Sequence, residues 1–141
     1  MKIYIGSDHG GFELKHYLMA KFKEGEFIDL GNFDYDKKDD YPAVAHLVAE
    51  AVLEDTGAWG ILICSSGLGM SMAANRHLGI RAAVCLSVKM AKLSRQHNNA
   101  NILCLGGKII SKGKSLRILK KFVKTKFESG RHQRRVEEIE I

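Results

Sequence analysis

The sequence predicts an α/β fold in which a doubly wound sheet of about five parallel strands lies between two layers of helices. Short apolar segments alternate with helix-like segments along the whole chain, a pattern that is typical of βαβ units. The segment Trp59–Cys64 is apolar throughout, as expected for a parallel strand covered on both faces. A length of 141 residues suits a single domain, so we expect one domain over 1–141.

The first half of the chain is predicted to hold three strands and two helices. Helical spacing of Phe12, Leu14 and Leu18 marks the first helix, and Pro42 fits the first turn of the second, with Asp40 or Tyr41 near its cap. The predicted strands cover 2–6, 27–30 and 59–64, and the predicted helices cover 11–23 and 42–55.

The second half repeats the alternation and ends in a helical arm. A glycine loop over 65–69 is followed by a helix over 70–75, and Gly130 separates a long basic helix from the arm. The remaining elements are strands over 80–85 and 100–105, helices over 87–96 and 111–127, and a terminal helix over 131–139. Residues Ile110, Leu116, Leu119 and Val123 are predicted to face inward from the basic helix.

The positive charge is concentrated in the second half of the chain. Residues 108–135 hold eleven lysines and arginines against the single acid Glu128, within a net charge of +6. Such a segment implies an anionic partner, which leaves a phosphorylated metabolite, a nucleic acid or a solvated helix face open.

Cysteine usage and hydropathy indicate a cytoplasmic protein. The three cysteines form no CxxC pair, which favours reduced thiols over a zinc site or a disulfide framework. No run of about 18 apolar residues is present, and the N-terminal segment lacks the apolar stretch of a secretory signal. We therefore expect no membrane partner and a cytoplasmic location.

Chemically useful side chains cluster near predicted strand ends. Asp8 and His9 follow the first strand, Cys64 ends the third, and His97 and Asn98 fall in the connection before the fifth. Ligands of open α/β sheets bind outside the carboxyl ends of the strands. We therefore expect these residues to build one site.

The loop after Cys64 is suited to stabilising negative charge. A buried strand delivers a thiol to a glycine loop that opens a helix, where free N–H groups and the helix dipole favour an anion and a thiolate. Met70 stands where a thiol phosphatase loop would need arginine, and no P-loop or dinucleotide fingerprint is present. Arg131 and Arg135, four residues apart, would share a helix face suited to phosphate.

Several segments together resemble the ribose/galactose phosphate isomerase family, and within it the type B ribose-5-phosphate isomerases. They are GSDHGGFELK at 6–15, DYP at 40–42, GILICSSGLGMSMAANR at 60–76, GIRAA at 79–83, SRQHN at 94–98 and GRHQRRV at 130–136. The resemblance covers essentially the whole chain. It implies a Rossmann-like fold, a homodimer or tetramer with sites shared between subunits, and no metal or cofactor.

The resemblance also implies a role for each candidate residue. Cys64 would move the proton between C1 and C2 of the sugar, and Ser66, where many members have threonine, would assist at the oxygens or in ring opening. Asp8 and His97 would open the ring, His97 coming from the partner subunit. The implied substrate contacts are the enediolate-binding backbone of Gly67, Gly69, Met70 and Ser71, sugar contacts by Asn98 and Tyr41, and phosphate contacts by His9, Arg131 and Arg135.

Two substrate classes and two other functions remain open at this point, one of them a non-catalytic sugar-phosphate sensor that would bind ligand without isomerising it. The family includes members with a glutamate base, but residues 61–107 contain no acid, which leaves the thiol as the local base. The retained SRQHN segment favours ribose 5-phosphate over allose 6-phosphate or galactose 6-phosphate. Nucleic-acid binding by the basic segment is disfavoured, because few aromatic residues lie among its basic residues.

The remaining histidines, at 16, 46, 77 and 132, are predicted to lie on the surface.

Overall fold

The predicted alternation of strands and helices is confirmed in the computed structural model, which describes all 141 residues. A short 3₁₀ turn, His9–Gly11, joins the first strand to the first helix. The strands are β1 (Lys2–Ser7), β2 (Glu26–Asp29), β3 (Trp59–Cys64), β4 (Ala82–Val84) and β5 (Ile102–Gly106). The helices are α1 (Phe12–Lys21), α2 (Tyr41–Glu54), α3 (Leu68–Ala74), α4 (Val88–Asn98), α5 (Lys112–Lys124) and α6 (Arg131–Glu137).

The five strands form one sheet in the order β2-β1-β3-β5-β4, and every neighbouring pair is parallel. Ile5 pairs with Ile61, and Cys64 pairs with Gly106, so β3 lies between β1 and β5 in the middle of the sheet. All strands therefore end at one edge, which we call the carboxyl edge, and begin at the opposite edge, the amino edge.

Two apolar cores, one on each face of the sheet, make the three layers. Ile5 and Ile63 pack with residues of α1, α4 and α5 on one face, while Leu62 and Ile102 pack with residues of α2 and α3 on the other. Burying each such side chain contributes about 1.5–3 kcal/mol. The predicted three-layer αβα arrangement is confirmed.

Two of the helices, α4 and α5, begin at serines that cap them. Ser87 and Ser111 accept hydrogen bonds from the N–H groups of Met90 and Lys114, and α2 begins after Asp40 with Pro42 in its first turn.

The buried face of α5 differs from the predicted one. It consists of Ser115, Ile118, Leu119 and Phe122, whereas Ile110, Leu116 and Val123 are only partly buried.

The fourth helix is longer than predicted, and this moves two candidate residues. It continues through His97 and Asn98 until Asn99, which adopts a left-handed conformation with φ of 47° and caps the helix. His97 and Asn98 therefore lie in the last helical turn, at the amino edge. The terminal helix α6 follows Gly130, as predicted, and packs against α4. None of the helices is both long and apolar enough to cross a membrane.

Candidate active site

The ends of β1, β3 and β5 meet at the carboxyl edge and bring three candidate residues together. The Asp8 N–H donates to the carbonyl of Ile63 at 3.3 Å, and the Gly107 N–H donates to the carbonyl of Cys64 at 2.8 Å. Gly10 packs directly against Ser65. Asp8, His9 and Cys64 thus surround one region of the edge, as the sequence predicted for these residues.

The sulfur of Cys64 lies against the backbone of the glycine loop. The Gly67 N–H donates a hydrogen bond to Cys64 Sγ at 3.1 Å, an interaction that a thiolate accepts more strongly than a thiol. Gly67 has a φ of 81°, and a Cβ there would lie 3.0 Å from the backbone of Leu105. Only glycine therefore lets the loop turn so closely over β5. Cys64 itself is 5% exposed.

The helix start offers fewer free N–H groups than the sequence predicted. The Ser71 N–H bonds to the carbonyl of Gly67, the Leu68 N–H bonds to Ser66 Oγ at 3.2 Å, and Gly67 is engaged by Cys64. This leaves the N–H groups of Gly69 and Met70 without an acceptor. Gly69 is partly exposed whereas Met70 is fully buried, so within the predicted set of Gly67, Gly69, Met70 and Ser71 the accessible free donor is the Gly69 N–H.

Tyr41 packs against the Gly69 backbone. A Cβ added at Gly69 would lie 2.5 Å from Tyr41 Cζ, so the tyrosine ring can pack here only against a glycine. Tyr41 is 39% exposed and begins α2. The ring therefore lies at the start of α3, and its role in lining the sugar pocket stays a prediction.

Asp8 is a buried carboxyl beside the loop. Its Oδ1 accepts the Gly10 N–H at 2.9 Å, and the residue is 6% exposed. Burial raises the pKa of Asp8 above its usual value, against the opposing effects of His9 and of the Gly10 hydrogen bond. The group is therefore closer to exchanging protons near neutral pH than an exposed aspartate.

His9 is held by an acidic residue that sequence reasoning missed. Asp39 Oδ1 accepts the His9 N–H at 2.9 Å and lies 2.7 Å from His9 Nδ1, while Asp39 Oδ2 accepts the amide of Asn32 at 2.7 Å. The hydrogen bond to Asp39 raises the pKa of His9. Burial opposes ionisation of Asp39, but its hydrogen bonds from His9 and Asn32 still lower its pKa. The charged form of His9, which suits phosphate, is thereby favoured.

A cavity beside His9 adds two lysines to the site. It has a volume of about 390 Å³ and is lined by His9, Gly10, Lys108 and Lys112, among others. The sequence marked these lysines only as part of a basic segment. The return of the chain from β5, through Gly107, is what places them beside His9.

His97 and Asn98 do not lie with Cys64 in this chain. The Gly60 N–H bonds to the carbonyl of Asn101, which fixes the end of α4 near the start of β3. From Gly60 to Cys64 the strand advances four residues, or about 13 Å. The prediction that these residues share one strand edge is wrong, because they precede β5 and so lie at the amino edge.

The arginines of α6 lie near His97 instead. Arg131 and Arg135 are exposed and form no ion pair, whereas Arg134 lies 3.6 Å from Glu138. His132, predicted on the surface, is buried, with its ring stacked on that of His97. The amino edge therefore carries a second cluster of side chains, made of guanidinium and imidazole groups.

Two groups of side chains have the composition of metal ligands. Asp8, His9 and Asp39 form one, and His97, Glu128 and His132 form the other. In the first group, hydrogen bonds already engage Asp8 Oδ1 and His9 Nδ1. In the second, the stacked imidazoles lie side by side, and a metal ion would require the stack to open.

Comparison with known proteins gives the same family over nearly the whole chain. The family model described as Ribose/Galactose Isomerase matches residues 3–139. A probable ribose-5-phosphate isomerase B of Mycoplasma genitalium is 44% identical over 97% of this chain and 92% of its own length. Ribose-5-phosphate isomerase B of Escherichia coli K12 is also 44% identical, over 98% of this chain and 93% of its own.

Solved structures agree in fold as well as in sequence. A ribose 5-phosphate isomerase of Thermotoga maritima superimposes with a TM-score of 0.95 at 45% identity, covering 99% of this chain and 97% of that one. The Mycoplasma genitalium ribose-5-phosphate isomerase B with bound ribulose-5-phosphate gives 0.93 at 44% identity, covering 98% and 93%. With the thiol, glycine loop and histidines described above, these matches establish that the chain belongs to the ribose/galactose isomerase family.

Proposed function

We propose that this protein interconverts D-ribose 5-phosphate and D-ribulose 5-phosphate through an enediolate, with Cys64 as the base. The observation that carries the proposal is the position of the sulfur. It lies at the end of the central strand, where it accepts the Gly67 N–H at 3.1 Å, in the loop that leads to the free N–H of Gly69. A base next to oxyanion donors is what proton transfer α to a carbonyl requires.

The proposed chemistry begins with the open-chain aldehyde. The Cys64 thiolate removes the proton from C2, the C2–H electron pair forms the C1=C2 double bond, and negative charge moves to O1. The backbone of the glycine loop, with the free N–H of Gly69, stabilises that charge. Ser66 helps to transfer the hydroxyl proton from O2 to O1, and the Cys64 thiol then returns its proton to C1 as the C2 carbonyl forms.

The remaining groups bind the sugar phosphate and open its ring. His9, kept cationic by Asp39, contacts the phosphate together with Arg131 and Arg135 of a second copy of the chain. Asp8 and the His97 ring of that second copy transfer protons between the ring oxygen and the C1 hydroxyl. Asn98 and Tyr41 contact the sugar. The proposal therefore includes a homodimer, or a tetramer built from two such dimers, with shared sites.

The pentose phosphate is the proposed substrate rather than a hexose phosphate. The cited relatives are named for ribose 5-phosphate, and one solved relative holds ribulose-5-phosphate. We further propose a cytoplasmic role in the pentose phosphate pathway. The three cysteines are unpaired, and free thiols are typical of the reducing cytoplasm.

A coupled assay that compares ribose, allose and galactose phosphates tests the identity of the substrate.

The substitution Cys64→Ala tests the identity of the base. In this variant we expect turnover of ribose 5-phosphate to fall by about a thousandfold or more, since a positioned base contributes roughly that much. Calorimetric binding of the sugar phosphate should remain within about threefold of the original value, because the thiol makes no phosphate contact.

Cys85→Ala is the matched control. Burial raises the pKa of Cys85 to about 11, which favours the protonated thiol at neutral pH. Its replacement should leave kcat nearly unchanged. A Cys64→Ala enzyme with near-normal kcat would remove the thiol from the mechanism.

A further inference from the structure

The buried face of α6 carries an imidazole ring as well as an apolar anchor. His132 and Val136, four residues apart, are 6% and 7% exposed, while the other residues of this helix are exposed. Val136 supplies the apolar contact expected of a helix docked on its neighbour. A histidine in the second buried position is not needed for packing alone.

The His132 ring lies flat against the ring of His97. The two centroids are 4.2 Å apart and the planes differ by 11°. His97 lies at the end of α4, where 38% of its side chain remains exposed. One face of this imidazole is therefore covered by His132, and the rest is left accessible.

A carboxylate lies at the edge of both rings. Glu128 Oε2 is 3.8 Å from His97 Nε2 and 3.6 Å from His132 Nε2. The Glu128 N–H donates to the carbonyl of Gln96 at 3.1 Å, so the residue is tied to the same helix end as His97. The orientation of the His97 ring is thus restricted by the His132 ring stacked on it and by a carboxylate within ion-pair distance of Nε2.

The charges around the stack favour a neutral His132. Burial lowers the pKa of His132, and the neighbouring positive charges of His97, Arg131 and Arg135 lower it further, against the opposing effect of Glu128. A neutral ring can remain stacked on His97 when His97 carries a proton. Two charged rings at this separation would repel each other.

We propose that His132 is a positioning residue, which together with Glu128 holds the His97 ring in the orientation needed for opening the sugar ring in the neighbouring subunit's site. The inference rests on the proposed function and deepens it. Neither His132 nor Glu128 is required to touch the substrate. A histidine at a helix end has two free side-chain torsions, and misplacing a catalytic group by about 1 Å can cost about a hundredfold in rate.

A double-mutant cycle tests whether His132 acts through His97. His132→Ala should lower kcat for ribose 5-phosphate about tenfold, with the KM changed much less. In a His97→Ala background the same substitution should cost less than about twofold, because the ring that it positions is already absent. Independent, additive losses in the two backgrounds would overturn the proposal.

Conservative replacements separate stacking from general packing. His132→Phe keeps a flat ring against His97 and should retain kcat within about threefold, whereas His132→Gln fills space without a ring and should resemble His132→Ala. Val136→Ala, on the same buried face, is the matched control: it should lower the melting temperature with little effect on kcat. Equal kcat losses in folded His132→Phe and His132→Gln enzymes would contradict positioning by the ring.

Proton exchange distinguishes this proposal from the proposed function itself. Ribulose 5-phosphate is acyclic, because phosphate on O5 leaves no hydroxyl that can close a five-membered ring on C2. Deuterium incorporation at its C1 from D₂O therefore needs Cys64 but not ring opening. We expect His132→Ala to slow isomerisation of ribose 5-phosphate about tenfold while exchange stays within about twofold. Equal losses of isomerisation and deuterium exchange in His132→Ala would overturn the positioning role of His132 alone. Normal exchange in Cys64→Ala would instead overturn the Cys64 mechanism.

Discussion

At the scale of single residues, the pairing of His9 with Asp39 controls charge in the proposed phosphate site. Asp39 receives both the backbone N–H and the ring of His9, and Asn32 holds its other oxygen. The hydrogen bond to Asp39 raises the pKa of His9, so the imidazole stays protonated to a higher pH than a free histidine. Phosphate affinity conferred by His9 should therefore be present at low pH and be lost as the pH rises through that raised pKa.

Replacing Asp39 should shift this pH dependence downward. In Asp39→Asn we expect the KM for ribose 5-phosphate to begin rising at a lower pH than in the original enzyme, with about a tenfold increase at neutral pH. Steady-state kinetics from pH 5.5 to about 9 would measure the change. Asp34→Asn, in the same acidic loop, is the control and should leave the profile in place. An unchanged profile in Asp39→Asn would mean that His9 charge does not govern binding.

At the scale of one element, α6 presents different faces to different partners. His132 and Val136 face α4, while Arg131 and Arg135, four residues apart, are exposed without acidic partners. Arg134 instead lies near Glu138. A helix with two unpaired guanidinium groups on one face is suited to binding a phosphate that belongs to another subunit's substrate.

Removing these guanidinium groups should weaken substrate binding more than catalysis. We expect Arg135→Ala to raise the KM about tenfold or more with kcat reduced only slightly, since a charge-assisted hydrogen bond contributes about 1.5–3 kcal/mol. Arg131→Ala should behave similarly. Arg134→Ala provides the comparison and should leave the KM within about twofold. Equal KM values for all three variants would mean that Arg131 and Arg135 are solvent-exposed charges that do not bind the substrate.

At the scale of the whole molecule, the residues of the proposed site fall into two groups at opposite edges of the sheet, which we call half-sites. Cys64, Asp8 and His9 lie at the carboxyl edge, while His97 and the α6 arginines lie at the amino edge. Register along β3 keeps the two groups about 13 Å or more apart. Two copies that pair these edges reciprocally would complete two sites, which is the arrangement expected of a twofold dimer.

Mixing two inactive variants tests this arrangement. Cys64→Ala and His97→Ala each remove one half-site, so a mixed dimer contains one site with both defects and one intact site. After dissociation and reassembly at equal amounts, activity should recover to about a quarter of the original value, because half the dimers are mixed and half their sites intact. Recovery should be absent when either variant is reassembled alone. No recovery in mixtures shown to contain mixed dimers would contradict shared sites.

The sequence by itself determined the fold and the chemistry at the carboxyl edge. Local sequence patterns predict the apolar strand β3, the alternation of strands and helices, and the residues at which helices begin. These patterns can be read without tertiary information. Cys64, Asp8 and His9 directly follow or end strands, so the rule for parallel sheets was sufficient to bring them together.

Only the tertiary structure decided which groups support these residues and where α4 ends. Asp39 reaches His9 across 30 residues, and His132 is buried because α6 docks on α4; neither contact leaves a local signal. The left-handed Asn99 extended α4 by two residues, so His97 and Asn98 lie in its last turn; their place at the amino edge already follows from chain order, because they precede β5. The strand order, with β5 inserted between β3 and β4, is likewise set by which apolar faces pack together, a nonlocal property that a one-dimensional pattern does not contain.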